Sequence, residues 1–138
     1  MPIYEYKDQI INAVKQNQVI ILLGETGSGK TTQVPQYLYE EGLLGYNREF
    51  LWHYGSSTKR IGITQPRRVA AITVAKRISE EQNVQLGSEV GYNVRFDDHT
   101  NIKTKIKFLT DGMLLREAMV DNMLTEYVCV SWMEWWLV

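Results

Sequence analysis

The feature that most constrains this chain is a glycine-rich segment near its start. Residues 24–31 read GETGSGKT and fit the phosphate-binding pattern G-x-x-x-x-G-K-[ST] at every fixed position. The apolar run at 19–23 before it predicts a buried strand, and residues 32–41 favour a helix. The segment therefore lies between a strand and a helix, which is the context that this motif requires.

The residue types of the segment suit the phosphates of a nucleotide. Its glycines let the backbone turn tightly and approach a phosphate closely, and its amides meet the positive end of the following helix. Lys30 would bring an ammonium group to the β- and γ-phosphates, and the Thr31 hydroxyl would be a Mg²⁺ ligand. The alternative is an ordinary glycine-rich turn, which the flanking strand disfavours. The predicted nucleotide-binding residues are Gly24, Glu25, Thr26, Gly27, Ser28, Gly29, Lys30 and Thr31.

Length and composition predict one globular domain. The chain has 138 residues, of which 44% are apolar and 22% charged. Its net charge of −1 means that any nucleic-acid binding must rely on a local basic patch. A single cysteine, Cys129, excludes an internal disulfide and fits an intracellular compartment. No apolar run approaches the ~20 residues of a membrane span, so no membrane partner is expected.

Strand and helix patterns alternate along the chain. Helices are predicted over 6–17, 32–41, 66–83 and 113–122, and strands over 19–23, 60–65, 90–94 and 103–110. The last strand should be half-exposed, because its lysines alternate with other residues. Val34 and Leu38 should face the sheet from the helix at 32–41. Pro66 should start the next helix, whose buried side should carry Val69, Ile72, Ala75 and Ile78. The alternation predicts an α/β fold, a mostly parallel sheet with helices on both faces. With the glycine-rich loop on the first strand, we expect an incomplete RecA-like P-loop NTPase domain.

Three further stretches have more than one interpretation. Residues 42–59 predict a loop whose aromatics either stack on bases or pack back on the domain. Arg67 and Arg68 follow a strand at the edge where open α/β sheets bind ligands. Cations oppose the dipole at a helix start, so phosphate binding explains the pair better than a solvated helix end. Residues 97–99 (DDH) are interpreted as a turn. A metal site is the alternative, but adjacent ligands alone rarely build one.

Four segments, in order, resemble motifs of the DEAH-box RNA helicases. Residues 24–33 resemble motif I and residues 64–71 (TQPRRVAA) motif Ia. Residues 91–96 (GYNVRF) are similar to the hook-turn and residues 110–117 (TDGMLLRE) to motif Ib. The match predicts a partial first RecA-like ATP-binding domain over 1–127 and a divergent, tryptophan-rich tail over 128–138.

The resemblance implies ATP and Mg²⁺ as cofactors and RNA as the partner. Thr32 joins the nucleotide-binding residues as part of motif I, and Arg77 would stack on the base. The residues implied to contact the RNA sugar-phosphate backbone are Arg67, Arg68, Arg95 and Thr110. Such contacts make binding salt-sensitive and independent of sequence. The family's usual settings imply the nucleus, spliceosome components and adaptor proteins.

The pattern of the family fails after Tyr127, where Asp-Glu-Ala-His is expected a few residues later. In register, residues 133–136 read MEWW. Met133 replaces the aspartate that holds Mg²⁺, and a thioether is a poor ligand for a hard cation. Glu134 falls where the water-activating carboxylate would be, which we interpret as a coincidence. We expect a truncated form, without the family's second RecA-like domain and with ATP hydrolysis near background.

Three functional hypotheses remain from the sequence. The first is an ATP-dependent RNA helicase of which this chain is the N-terminal part. The second is a non-catalytic nucleotide- or RNA-binding module, or a decoy that competes with the full-length helicase. The third, a small-molecule kinase on the same loop, is disfavoured by the similarity to motifs Ia and Ib.

Overall fold

The computed structural model describes residues 2–23, 29–40, 60–132 and 135–137. A 3₁₀ helix over Pro2–Tyr6 leads into the first α-helix. The helices are α1 (Lys7–Gln16), α2 (Lys30–Glu40), α3 (Arg68–Glu81) and α4 (Asp111–Val120). The strands are β1 (Val19–Ile21), β2 (Arg60–Gln65), β3 (Val90–Val94), β4 (Asp97–His99), β5 (Ile106–Thr110), β6 (Tyr127–Trp132) and β7 (Trp135–Leu137). The predicted loop at 42–59 lies outside the described residues.

In the described part of the chain, the strands form one sheet in the order β1-β7-β6-β2-β5-β3-β4. Strand β2 pairs in parallel with β5 and β6, and β3 pairs in parallel with β5. Because β7 is antiparallel to both β1 and β6, β1 runs in the same direction as β6. Five strands therefore run one way, as expected for an incomplete RecA-like α/β domain, and β4 and β7 run against them.

Neighbouring residues of the central strands point to opposite faces of the sheet, and helices cover both. Phe108 belongs to the larger apolar cluster, with residues of α1, α2 and α3. Leu109 belongs to a second cluster, with Leu114 of α4. The alternation of side chains along a strand thus places α4 on one face and the other helices on the opposite face. None of the described helices combines the length and apolar character needed to cross a bilayer.

Helix positions follow the predictions closely, with shifts at their ends. Val34 and Leu38 of α2 are fully buried, as the spacing of apolar residues predicts. Helix α3 begins two residues after Pro66 and buries Ala75 and Ile78. The prediction that Val69 faces the core is wrong, because its side chain is 72% exposed in the first turn.

Three strand predictions need correction. Residues 97–99 are not a turn but strand β4, paired with β3, and the turn falls at Arg95 and Phe96. Strand β5 is not half-exposed, because it lies between β2 and β3 and even Lys107 is buried. Strand β1 is not buried: Val19 and Ile21 are 45% and 54% exposed, since β1 lies at one end of the described sheet.

Candidate nucleotide and nucleic-acid site

The carboxyl ends of the parallel strands meet at one edge of the sheet. Thr110, the last residue of β5, pairs with Gln65, the last residue of β2. Strand β3 ends beside them, with Asn93 opposite Leu109. Strand β1 has the same direction, so its exit towards residues 24–31 lies at this edge too. Ligands bind at such an edge in open α/β sheets.

All four residues predicted to contact the RNA backbone lie at this edge. Arg67 and Arg68 follow β2, Arg95 follows β3, and Thr110 ends β5. All three arginines are exposed to solvent. The structure thus brings arginines from separate segments into a local basic patch, the feature that nucleic-acid binding by a nearly neutral chain would need.

Two helices begin at the same edge. Arg67 is the N-cap residue of α3 and Thr110 that of α4, and neither side chain caps its helix with a hydrogen bond. The first N–H groups of a helix have no partner within it and carry partial positive charge. Asp111 in the first turn of α4 offsets some of this charge, so the arginines supply most of the attraction for an anion.

One arginine of the patch is already paired with a carboxylate. Arg68 Nη2 lies 4.0 Å from Asp97 Oδ2, which also accepts a hydrogen bond from the Tyr92 hydroxyl at 3.1 Å. His99 Nε2 lies 3.2 Å from Asp97 Oδ1, and its ring stacks on Tyr92 with 4.9 Å between centroids. Burial, then the bond to Asp97, raises the pKa of Tyr92, which keeps its hydroxyl a donor. Asp97 therefore connects the hairpin of β3 and β4 to the start of α3.

The tip of this hairpin presents an aromatic ring and a cation to solvent. Phe96 is 90% exposed and has a φ of 66°, a left-handed conformation that a bulky residue rarely adopts. The Arg95 guanidinium carbon lies 4.9 Å from the centroid of the Phe96 ring. An exposed ring beside a cation suits a nucleic-acid base beside its phosphate. The sequence did not single out Phe96, because no pattern indicates that a turn aromatic stays uncovered.

The described end of the glycine-rich segment starts α2. Gly29 has a φ of 93°, which favours glycine, and its carbonyl accepts the amide of Gln33 at 2.8 Å. Lys30 and Thr31 form the first turn, and the Thr32 hydroxyl bonds back to the Gly29 carbonyl at 3.4 Å. A cation and a hydroxyl at a helix start fit a phosphate and Mg²⁺. Gly24, Glu25, Thr26, Gly27 and Ser28 lie outside the described residues.

Arg77 lies apart from the other arginines. It is nine residues beyond Arg68 on α3, or about 14 Å along the helix axis. Its Nε is 3.5 Å from Glu81 Oε1, and Glu81 contacts side chains of α2. The structure therefore associates Arg77 with the helix that carries Lys30, and not with the basic patch.

The described residues contain no obvious centre for chemistry. Among them, no three His, Cys, Asp or Glu side chains are grouped so that they could hold a metal ion. Burial raises the pKa of Cys129 to about 12, so its thiol is a poor nucleophile. Met133 and Glu134 lie outside the described residues. The arrangement of exposed arginines at the sheet edge is suited to binding anions.

A cavity of about 450 Å³ lies between α1 and β1. Its walls are mostly apolar, including Ile10 and Ile20, with Lys30 as the one charged residue among the described residues that line it. This lining does not suit a phosphate chain, which needs donors and cations.

A second charged cluster lies near the opposite edge of the sheet. Lys107 Nζ is 2.6 Å from Glu117 Oε1 and 3.3 Å from Glu126 Oε1. Tyr127 donates its hydroxyl to Glu117 at 2.6 Å, and Arg60 Nη1 is 3.2 Å from Glu126. Burial, together with the bond to Glu117, raises the pKa of Tyr127 far above its usual value. The cluster connects α4 to β2, β5 and β6 from the side remote from the basic patch.

The fold is that of a RecA-like α/β domain, with a basic patch at the carboxyl edge of its parallel strands. No protein-family profile matches the chain. The chain has significant similarity to 110 curated proteins. Among them is the pre-mRNA-splicing factor ATP-dependent RNA helicase DEAH10 of Arabidopsis thaliana, 51% identical over 127 residues. This alignment covers 92% of the chain, and the chain spans 16% of that relative. By this similarity the chain belongs with the DEAH-box RNA helicases.

Proposed function

We propose that this chain binds ATP–Mg²⁺ and RNA as part of a DEAH-box ATP-dependent RNA helicase, with little or no hydrolysis. The observation that supports this most is the convergence of Arg67, Arg68, Arg95 and Thr110 on one sheet edge. Strand β1, which precedes the glycine-rich segment in the sequence, ends at the same edge. A sheet edge of this kind offers two adjacent ligands, a nucleotide and a nucleic-acid backbone, a common binding surface.

Nucleotide binding would use the N-terminus of α2. Residues 24–29 would surround the phosphates with amide donors, and Lys30 would neutralise their charge. The Thr31 hydroxyl would be a ligand of Mg²⁺, which bridges phosphate oxygens when it is bound. Thr32 supports the first turn through its bond to the Gly29 carbonyl, and Arg77 would contact the base.

RNA binding would be governed by the arginines of the basic patch. If Arg67, Arg68 and Arg95 each neutralise one phosphate of a single strand, log K falls with log salt with a slope of about −2. Thr110 and the N–H groups at the starts of α3 and α4 would add hydrogen bonds to phosphate oxygens. None of these groups reads a base edge, so binding is independent of sequence.

Hydrolysis requires groups that this sequence replaces. P-loop NTPases hold Mg²⁺ with an acidic residue and position the attacking water. Met133 stands where the family has that aspartate, and Glu134 has no neighbours of the motif beside it. We therefore propose that the nucleotide is bound without appreciable turnover.

The boundary between helicase-like chain and tail is also a proposal. We place it between residues 127 and 128, so that the tail supplies most of β6 and all of β7. From the splicing role in the relative's name, we propose a nuclear location, with spliceosome components and adaptor proteins as partners. A chain that binds RNA without turnover could also act as a decoy for a full-length helicase.

Equilibrium titrations of the full chain test the proposal. Labelled ADP–Mg²⁺ and labelled single-stranded RNA should each bind saturably, and Lys30→Ala should abolish only the nucleotide binding. ATP turnover should stay at background with and without RNA. RNA-stimulated turnover that disappears in Lys30→Ala would overturn the absence of hydrolysis, and no saturable binding of either ligand would overturn the binding function.

A decoy makes a separate prediction. The chain should lower the unwinding rate of a full-length DEAH-box helicase on a limiting RNA duplex with a single-stranded end. A variant with Arg67, Arg68 and Arg95 changed to alanine should lose this effect. Equal inhibition by that variant would count against competition for RNA.

A further inference from the structure

We propose that Glu81 is a positioning residue, which holds the guanidinium of Arg77 in place for contact with the nucleotide base. The proposal rests on the nucleotide binding proposed above and adds the residue that orients its base contact. It is carried by side-chain contacts between α2 and α3 that centre on Gln36 and Glu81, two residues outside the four helicase-like motifs.

The two carboxylate oxygens of Glu81 have different partners. Oε1 lies 3.5 Å from Arg77 Nε on the same helix. Oε2 accepts hydrogen bonds from α2, from Gln36 Nε2 at 2.6 Å and from Gln33 Nε2 at 3.4 Å. One side chain of α3 thus connects the arginine to the helix that begins at Lys30.

The partners on α2 are themselves fixed. Gln36 is buried, with 6% of the residue exposed, and its Nε2 also bonds to the Thr32 carbonyl at 2.7 Å. Its Oε1 accepts Gln82 Nε2 at 2.6 Å, and Gln82 reaches Glu40 at 3.2 Å. Since Thr32 lies in the first turn of α2, the network relates Glu81 to the backbone beside the phosphate-binding residues.

Helix stability does not account for this placement. Glu81 is the last residue of α3, where a negative charge opposes the helix dipole. The order Arg77 then Glu81 is also the less favourable orientation of an i,i+4 ion pair. A guanidinium that is 57% exposed would otherwise lose side-chain freedom on stacking against a base. Holding it in advance lowers that cost.

The test compares two ligands that share the triphosphate chain, one with the nucleoside and one without it. Affinities of the full chain for ATP–Mg²⁺ and for inorganic tripolyphosphate–Mg²⁺ are measured by calorimetry. The control is Glu80→Ala, which removes the same charge from an exposed neighbour on α3. Relative to this control, Glu81→Ala should weaken ATP binding about two- to fivefold and leave tripolyphosphate binding unchanged.

The double variant separates positioning from other effects. Arg77→Ala should lower ATP affinity at least as much as Glu81→Ala, and the two together no further than Arg77→Ala alone. Equal weakening of ATP and tripolyphosphate by Glu81→Ala would show a purely structural role and overturn the inference. So would an unchanged ATP affinity in either single variant. If the unsubstituted chain binds neither ligand, the proposed nucleotide binding itself fails, and the inference with it.

Discussion

The ammonium group of Lys107 lies 2.6 Å from the carboxylate of Glu117, with 4% of the lysine side chain exposed. This contact joins the central strand β5 to α4. Helix α4 begins directly after Thr110, at the end of β5 that borders the basic patch. A charge buried on a central strand is tolerated only where partners replace the water that it has lost. The pair therefore helps to orient the helix whose start borders the basic patch.

Replacing Lys107 by methionine should destabilise the fold. Glu117 would lose its cation, while Glu126 would keep Arg60 at 3.2 Å. Because Glu117 is partly exposed, we expect a loss of about 2 kcal/mol in the free energy of unfolding, below the range for fully buried pairs. Urea denaturation measures it. Lys76→Met, at an exposed position of α3, should change stability by less than about 0.5 kcal/mol. Equal effects of the two variants would contradict a structural role for the pair.

The sequence predicted most of the fold because its signals are local. The alternation of strand and helix patterns fixed the α/β class, and the spacing of Val34 and Leu38 identified the buried side of α2. Pro66 indicated the start of α3 to within two residues. These features depend on neighbours in the chain, which periodicity can detect.

What the sequence missed depends on distant partners. The alternating sequence pattern predicts that Lys107 is exposed. Its burial is tolerated because Glu117 and Glu126, both distant in sequence, lie close to its ammonium group. Residues 97–99 form a strand because His99 stacks on Tyr92 across the hairpin. Gly91 allows this pairing, since a Cβ there would overlap the His99 carbonyl oxygen. The four nucleic-acid candidates were identified from resemblance and position, but the ion pair of Arg68 with Asp97 was not foreseen.

Releasing Arg68 from Asp97 should strengthen RNA binding. In Asp97→Asn the guanidinium loses the carboxylate at 4.0 Å, which a phosphate would otherwise have to displace. We expect a gain of about two- to threefold in affinity for single-stranded RNA, as the pair is partly exposed. Fluorescence anisotropy with a labelled oligonucleotide measures it.

The matched control for this prediction is Asp98→Asn. It makes the same change in net charge. The carboxylate near Arg68 is that of Asp97, whereas Asp98 accepts a hydrogen bond from Thr100 at 2.6 Å. The gain from Asp97→Asn should exceed that from Asp98→Asn and should vanish in combination with Arg68→Ala. If both asparagine variants bind RNA equally, only long-range charge is involved and the prediction is wrong.

The exposed ring of Phe96 should contribute to RNA affinity but not to stability. Both Phe96→Ala and Phe96→Gly remove the ring, and we expect RNA affinity to fall about fivefold in each, because a stacked base contributes roughly 1 kcal/mol or more. Phe96→Trp should retain the affinity. Glycine tolerates the positive φ at this position, whereas alanine does not. The free energy of unfolding should therefore be about 1 kcal/mol higher for the glycine variant than for the alanine variant. Unchanged RNA affinity in both would exclude stacking at this turn.

Strand β7 should decide whether the nucleotide site forms. In the described part of the chain, β1 pairs with β7 alone, and β7 in turn pairs with β6. Trp136 lies opposite Ile20 on one side and Ser131 on the other. Proline at this position removes a backbone N–H and does not fit a strand with neighbours on both sides, so it should disrupt the pairing of β7.

The expected result of Trp136→Pro is a selective loss. The glycine-rich segment follows β1, so freeing β1 should weaken ATP–Mg²⁺ binding at least tenfold, an effect of about 1.4 kcal/mol. The basic patch is supported by β2, β3 and β5, so RNA affinity should change less than about twofold. Trp136→Phe keeps the backbone N–H and serves as the control. Parallel loss of both affinities in Trp136→Pro would mean that β7 supports the whole sheet, and retention of both would mean that β1 holds its position without it.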